Sequence, residues 1–340
     1  MIKKIVAGIF IIVILCFLGY EFSDHDTKEA DEQNKLIVYC SSPNYFSTPL
    51  IQEFEKNTGI KVDLVQQGAG SLLQRLEKES EAPIADVLWT GSLNIVKEKT
   101  ELFENYQSIN EVFVKSEFKN KEGCLTRFTE IPNIIIVNTK LIDNIPVNGY
   151  EDLLNPALNG KIAFADPAES SSAYEHLINM LYVMGNGNPE DGWPYVQQFC
   201  QNLGGKILRT SDAVYQGVAA GEFVVGCTFE QKAINYHGDT PVKTVYMQEG
   251  VVSQTDGLYI IKKCRNQVNA QRFVDFMTSK NTQTFIAQKF YRRSVRTDVE
   301  LAQEMLPKQQ MKVIKPNAEQ ISRMRTTWLD RFHTVFIHTL

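Results

Sequence analysis

Long basic runs are absent from this 340-residue chain, and no stretch interleaves aromatic with basic side chains. With 35 Lys and Arg against 40 Asp and Glu, the formal charge is −5, which argues against a nucleic-acid partner, since such binders present a basic face. Histidine is scarce, and neither His237 nor the other four stand at metal-ligand spacing. The six cysteines, Cys16, Cys40, Cys124, Cys200, Cys227 and Cys264, contain no C-x-x-C. They read as small buried hydrophobes rather than as redox or metal groups. If Cys16 is set aside, five remain, so at least one is unpaired within the chain. G-x-S-x-G, H-E-x-x-H and P-loop signatures are missing too, and no Ser/His/Asp set stands out by spacing. Neither an enzyme nor a bound cofactor or metal is therefore expected. Asp166, Glu169 and His176 are the one trio that could suggest a phosphatase. Asp166 precedes Pro167 and reads as a turn residue, and His176 as a helix residue facing away from any ligand. No short-period repeat is present, which removes solenoids.

What is there begins with an N-terminus built for export. Lys3 and Lys4 precede the uncharged run IVAGIFIIVILCFLGY, after which EFSDHDTKEADEQNK turns polar. Residues 1–22 are read as a signal peptide or N-terminal membrane anchor and 23–35 as a polar tether. Cys16 sits where a lipidated cysteine could sit, but Leu15 before it is bulky and no A-x-A site follows. The run is also shorter than the roughly 20 residues of a typical span. Lipoprotein and retained anchor both stay open, and either leaves the body extracytoplasmic: on the outer face of the cytoplasmic membrane, or periplasmic.

The body, 43% hydrophobic and 22% charged over the whole chain, has the composition of an ordinary globular protein. Strand-like runs alternate with helical patterns: LIVYC (36–40), IKVDLV (60–65), ADVLW (85–89), KIAFA (161–165), KILR (206–209) and FVVGCTF (223–229) each lead into an amphipathic stretch. Gly59 suits the end of the first helix. Six such units predict an α/β fold with open, largely parallel sheets. In open sheets ligands bind beyond the carboxyl ends of the strands, and there hydroxyls and glycines gather: Ser41 and Ser42; Gly68 to Ser71, with Gly70; Thr90, Gly91 and Ser92; Ser170, Ser171 and Ser172; Ser211 and Asp212. Any one of these is an ordinary helix cap. Five together predict an anion site made of helix N-termini and hydroxyls, one that can hold phosphate without an arginine.

The succession LIVYCSSPN, FEKNTGIKVDLVQQGAGSLLQRLEKE, ADVLWTGS, NTKLI, NPALNGKIAFADPAESSSAYEHL, GVAAGEFVVGCTFE, DGLYIIKK and RRSVRTDV resembles the extracytoplasmic solute-binding proteins related to iron(III)-binding proteins. The resemblance spans residues 36 to about 300. It implies the type II periplasmic-binding fold, two α/β lobes closing on a ligand. Lobe one would comprise 36–128 plus 256–312 and lobe two 129–255, with the helices of 313–340 packing back on the body and Trp328, Phe332 and Phe336 facing the core. Iron-binding members resemble one another in a pair of adjacent tyrosines; here there are 13 tyrosines, none adjacent. The hydroxyl-rich loops and RRSVRTDV look instead like the branch binding hexose phosphates, with phosphonates close by. In that branch Glu230 or Asp256 would meet sugar hydroxyls or an amine; Glu230 also reads as a first-turn acid meeting its helix dipole. The implied partner is an ABC permease or, for a sensor of the same fold, a membrane histidine kinase.

Overall fold

The computed structural model describes residues 34–339 except 92, 122 and 235–239. The N-terminal export segment, nearly all of the tether, and Cys16, Ser92 and His237 lie outside the described residues. The chain opens with a parallel trio. β1 (Lys35–Cys40) pairs with both β2 (Lys61–Gln66) and β3 (Val87–Thr90). Between β1 and β2 runs α1 (Asn44–Thr58), which buries Phe46, Leu50, Ile51 and Phe54 on one face. It stops at Gly59, whose φ of 73° lets its N–H reach the Glu55 carbonyl, a left-handed cap that glycine adopts without steric cost. α2 (Ala69–Lys78) and the short α3 (Leu93–Val96) follow β2 and β3.

Beyond the trio the sheet stops being parallel, and here the sequence reading is corrected. β4 (Thr126–Asn138) runs antiparallel to β8 (Val251–Ile260) over its first half and antiparallel to β6 (Val225–Phe229) over its second. β5 (Ile162–Ala163) lies parallel to β6, and β7 (Val242–Val245) pairs with β4. One strand leads out of the first core and another returns, so the crossing pair has to be antiparallel. KILR forms no strand: only an isolated bridge joins Leu208 to Ala165.

Two hydrophobic cores flank the crossing. Phe46, Phe54, Trp89, Phe128, Phe273 and Phe290 build one; Ile134 to Val137, Tyr150, Phe164, Phe199 and Trp328 build the other. β4 feeds both, through Phe128 at one end and the run of isoleucines at the other. Its unbroken apolar run, Ile134 to Val137, follows from being covered on both faces. The second core is wrapped by α4 (Ser171–Met184), α5 (Trp193–Asn202) and α6 (Ser211–Ala220), with α7 (Glu230–Ile234) following β6. The first is covered by α8 (Gln267–Thr278) and α9 (Lys280–Phe290), after which come the two-residue strands β9 (Arg293–Ser294) and β10 (Val313–Ile314). α10 (Ala318–Ile337) buries Ile321, Trp328, Phe332 and Phe336 in the second core, with Phe332 5.9 Å from the Phe164 ring. No helix among the described residues is long and apolar enough to cross a membrane. The five described cysteines are all free thiols, four of them buried.

Candidate functional site

The crossing strands set two faces. Residues paired across an antiparallel ladder share a face and successive residues alternate. Thr129 and Ile131 of β4 therefore lie on one side with their partners Asp256 and Gln254 of β8, while Glu130 and Thr255 point to the other. Arg293, the partner of Glu130 on β9, belongs to that second side.

Over the first face lies a cleft of about 280 Å³ lined by Ile131, Gln254, Asp256 and Arg292, by Ser41, Ser42 and Pro43 before α1, and by Ser171, Ser211 and Asp212 at the starts of α4 and α6. Tyr45, Gly91, Phe229 and Gln231 complete the lining. α1, α4 and α6 contain 15, 14 and 10 residues, so three full helices present their N-terminal residues to one space. Each offers backbone N–H groups without intrahelical partners and the positive end of a dipole. The caps leave room for this: Ser170, not Ser171, accepts the Ala173 N–H of α4, and Thr210, not Ser211, accepts the Ala213 N–H of α6. Ser41 and Ser42 are held by their neighbours, Ser41 Oγ donating to Thr90 Oγ1 at 2.9 Å and the Ser42 carbonyl accepting from Gln66.

Arg292 and Asp256 form the charged floor. One guanidinium N–H of Arg292 donates to Asp256 Oδ2, Nε donates to Gln231 Oε1 at 2.5 Å, and the guanidinium carbon lies 3.7 Å from the centre of the Phe46 ring. Gln231 in turn donates to the Tyr45 hydroxyl at 3.1 Å. The other carboxylate oxygen, Asp256 Oδ1, is buried and makes no hydrogen bond; a Cβ on Gly91 would stand 3.8 Å from it. Burial pushes the Asp256 carboxyl upward, against the pull of Arg292. Thr129 lies beside it and stabilises the ionised form weakly, but its hydroxyl makes no hydrogen bond of good geometry.

On the opposite face Arg293 meets Glu230 with both carboxylate oxygens engaged. Arg293 donates to both Glu230 oxygens, Nε to Oε2 at 2.8 Å, and to the Leu306 carbonyl at 2.6 Å, while the Tyr246 hydroxyl donates to Glu230 Oε1. Burial raises the Glu230 carboxyl, opposed by Arg293.

Seven of the residues expected to bind ligand thus line one cleft: Ser41, Ser42, Gly91, Ser171, Ser211, Asp212 and Asp256. The other six do not. Thr90 is fully buried beneath Ser41. Ser170 and Ser172 are buried with their hydroxyls 3.3 Å apart, Ser170 serving as the helix cap. Gly70 and Ser71 stand exposed in the first turn of α2, outside the lining. Glu230 is committed to Arg293. Arg292, which the sequence reading did not single out, also lines the cleft. Adjacent arginines at the end of a buried helix carry the signal that could have found it, since on an extended segment neighbours face opposite ways. Gln231, Gln254 and Tyr45 had no such signal. The phosphatase-like trio does not assemble. His176 is buried between the Tyr150 hydroxyl and the Thr228 carbonyl, at 2.7 and 2.9 Å, and burial lowers its pKa to about 4. Asp166 meets His333 on α10, and Glu169 is exposed. Among the described residues no three His, Cys, Asp or Glu side chains are grouped to hold a metal ion.

This arrangement, a polar cleft over strands that join two α/β cores, is that of a binding protein, and residues 49–313 match a family model described as bacterial extracellular solute-binding protein. The chain belongs to that family. It is an extracytoplasmic solute-binding protein of the type II fold. It is 25% identical over 285 residues to "Iron uptake protein A1" of Synechocystis, covering 79% of this chain and 78% of that protein. It is 23% identical over 253 residues to a "Putative 2-aminoethylphosphonate-binding periplasmic protein" of Salmonella typhimurium, covering 72% and 73%. Among solved structures it superposes on the periplasmic binding protein AfuA from Actinobacillus pleuropneumoniae with fructose-6-phosphate bound, at a TM-score of 0.78 and 24% identity over 89% of this chain and 98% of that one. It also superposes on a protein described as "Two-component system protein mediate signal transduction", at a TM-score of 0.71 and 27% identity over 82% and 94%.

Proposed function

We propose that this solute-binding protein captures a phosphorylated small molecule, a hexose phosphate or related organophosphate, between lobes 36–128 plus 256–312 and 129–255, and hands it to an ABC permease. The carrying observation is the convergence of three helix N-termini, their free serines and Arg292 on a cleft whose floor also holds a half-satisfied carboxylate. An anion gains from the helix ends, from Ser171 and Ser211, and from Arg292, each hydrogen bond to a charged group contributing about 1.5–3 kcal/mol where water is excluded. Asp212 and Asp256 would repel a purely anionic ligand. They suit one that couples its phosphate to hydroxyls or an amine, and Asp256 Oδ1 is the acceptor waiting for such a donor. Binding of this kind needs no turnover, and the phosphate stays on the sugar. The C-terminal segment 313–340 belongs with the second lobe, whose core it completes.

Two relatives bear on the reading. The fructose-6-phosphate in AfuA supports a sugar phosphate. The iron uptake protein keeps ferric ion as the competing cargo, for which this cleft offers one tyrosine, Tyr45. Sensing through a histidine kinase is the second role, favoured by the two-component structural neighbour. Calorimetry on the full chain with glucose 6-phosphate, glucose, inorganic phosphate and ferric citrate tests the ligand class. Saturable binding of the sugar phosphate without glucose binding, and without free phosphate appearing at stoichiometric protein, is expected. Tight ferric binding with a visible charge-transfer band, or glucose binding equal to that of its phosphate, would overturn it.

A further inference from the structure

Beside the cleft, and bordering it at Gly91 and Gln254, lies a second cavity of about 360 Å³. Its floor is the Val252–Thr255 stretch of β8; one wall comes from Leu93, Leu125 and Tyr259, the other from Glu175 and Ile321. α4 connects the two spaces. Ser171, Glu175 and Asn179 lie at successive turns and form one stripe. Ser171 reaches the cleft, while Asn179 clamps β8 by accepting the Val252 N–H at 2.8 Å and donating to the Gly250 carbonyl at 3.0 Å. Glu175, between them, opens into the second cavity. It is only 8% exposed, yet its carboxyl has no hydrogen-bond or ion-pair partner among the described residues. The one cation acting on it, Arg325 of α10, stacks its guanidinium over the Tyr174 ring at 4.8 Å rather than pairing with it. Ser253 Oγ, in the same floor, is buried and unpartnered.

We infer that this cavity is a second ligand site, taking a small organic amine whose ammonium pairs with Glu175 and donates to Ser253 Oγ while its apolar body packs on Leu93, Leu125 and Ile321. An isolated buried carboxyl is costly to ionise, and burial raises that of Glu175 to about 7. An ammonium removes that cost and supplies the missing donor. The other charges around the cavity do not compete for it. Lys308 is held by Glu117 and Glu130 at 2.7 and 2.5 Å, Arg127 donates to the Lys119 carbonyl, and Lys97 and Lys315 sit at the exposed rim. The walls come from both sides of the crossing strands, so an occupant would also act on how those sides move relative to each other.

The test is calorimetry of the full chain with n-hexylammonium chloride, using 1-hexanol as the neutral control of equal length, on the wild type, Glu175→Gln and Ser171→Ala. Saturable one-site binding is expected for the amine, at least 10-fold weaker for hexanol and in Glu175→Gln, and unchanged in Ser171→Ala. Equal binding by Glu175→Gln, or absence of saturable heat, overturns the site; loss in Ser171→Ala places the amine in the cleft instead. Because Glu175→Gln alters a buried position, a second measurement uses the wild type alone. The Glu175 carboxyl is titrated by carbon NMR with and without the amine, and its midpoint should fall by about 1 to 3 pH units with a cation at contact distance. An unmoved midpoint at saturating amine contradicts the proposal. Both readouts are independent of sugar-phosphate binding, so failure here leaves the cleft reading untouched, and the reverse.

Discussion

Arg292 and Arg293 are neighbours in sequence and face opposite sides of the crossing strands, each buried against one acidic residue. Behind the strands Arg293 engages both oxygens of Glu230, with Tyr246 and the Leu306 carbonyl adding to the set. In front, Arg292 and Asp256 meet through one carboxylate oxygen and leave Oδ1 buried without a hydrogen bond beside the cleft. A closed pair of buried charges has nothing further to gain and serves the fold. An open one retains an unmet desolvation cost, which a ligand donor at that oxygen would offset. Charge and burial, which the two pairs share, do not tell them apart; hydrogen-bond satisfaction does.

The largest effect should come from breaking the closed pair. Glu230→Ala leaves Arg293 buried without a counter-charge and is expected to destabilise by about 3–5 kcal/mol, read by urea unfolding; a loss under 1 kcal/mol would mean that the pair is not structural. His176 is another closed buried group. Its folded pKa of about 4 lies below the ordinary 6.5, so the unfolded chain takes up the proton first. The stability it contributes is full above pH 6.5 and is lost as pH falls through about 4, amounting to roughly 3 kcal/mol. His176→Gln should flatten that acid limb. Glu175 runs the other way: with a folded pKa of about 7 against 4.5, its contribution is full below pH 4.5 and is lost as pH rises through 7. Glu175→Gln should therefore gain up to about 3 kcal/mol relative to the wild type between those limits. Smallest are the serines of α4. Ser170→Ala should cost about 1 kcal/mol of stability with affinity unchanged, while Ser171→Ala should leave the melting temperature in place and weaken glucose 6-phosphate binding about 10-fold.

Those two adjacent serines mark how far the sequence could be read. The run Ser170 to Ser172 announces a helix start, but which hydroxyl caps and which faces the cleft depends on the helix phase against β6 and β8, and that is set by long-range packing. The strand runs 36–40 and 85–89 are legible because most of their residues are buried, and 60–65, a half-exposed edge strand, because it alternates apolar with polar residues; in all three a helix follows at once. KILR has the same local look and forms only a bridge, since no neighbouring strand reaches it beyond Ala165. The antiparallel crossing escapes local patterns altogether, because a strand's direction in a sheet depends on where its partner comes from. Arg292 and Asp256 meet across 36 residues of chain, and that pairing decides the character of the cleft.

The open pair is expected to bind ligand and the closed pair only to hold the fold. Calorimetry of glucose 6-phosphate on Asp256→Asn and Glu230→Gln, side by side with the wild type and each checked to be folded, tests it most directly. Asp256→Asn keeps the shape but loses the charged acceptor, and should weaken binding by about 10- to 150-fold, the equivalent of about 1.5–3 kcal/mol. Glu230→Gln should stay within about twofold, as expected for a site that shares no partner with the ligand. Unchanged affinity in Asp256→Asn together with a large loss in Glu230→Gln would contradict the account.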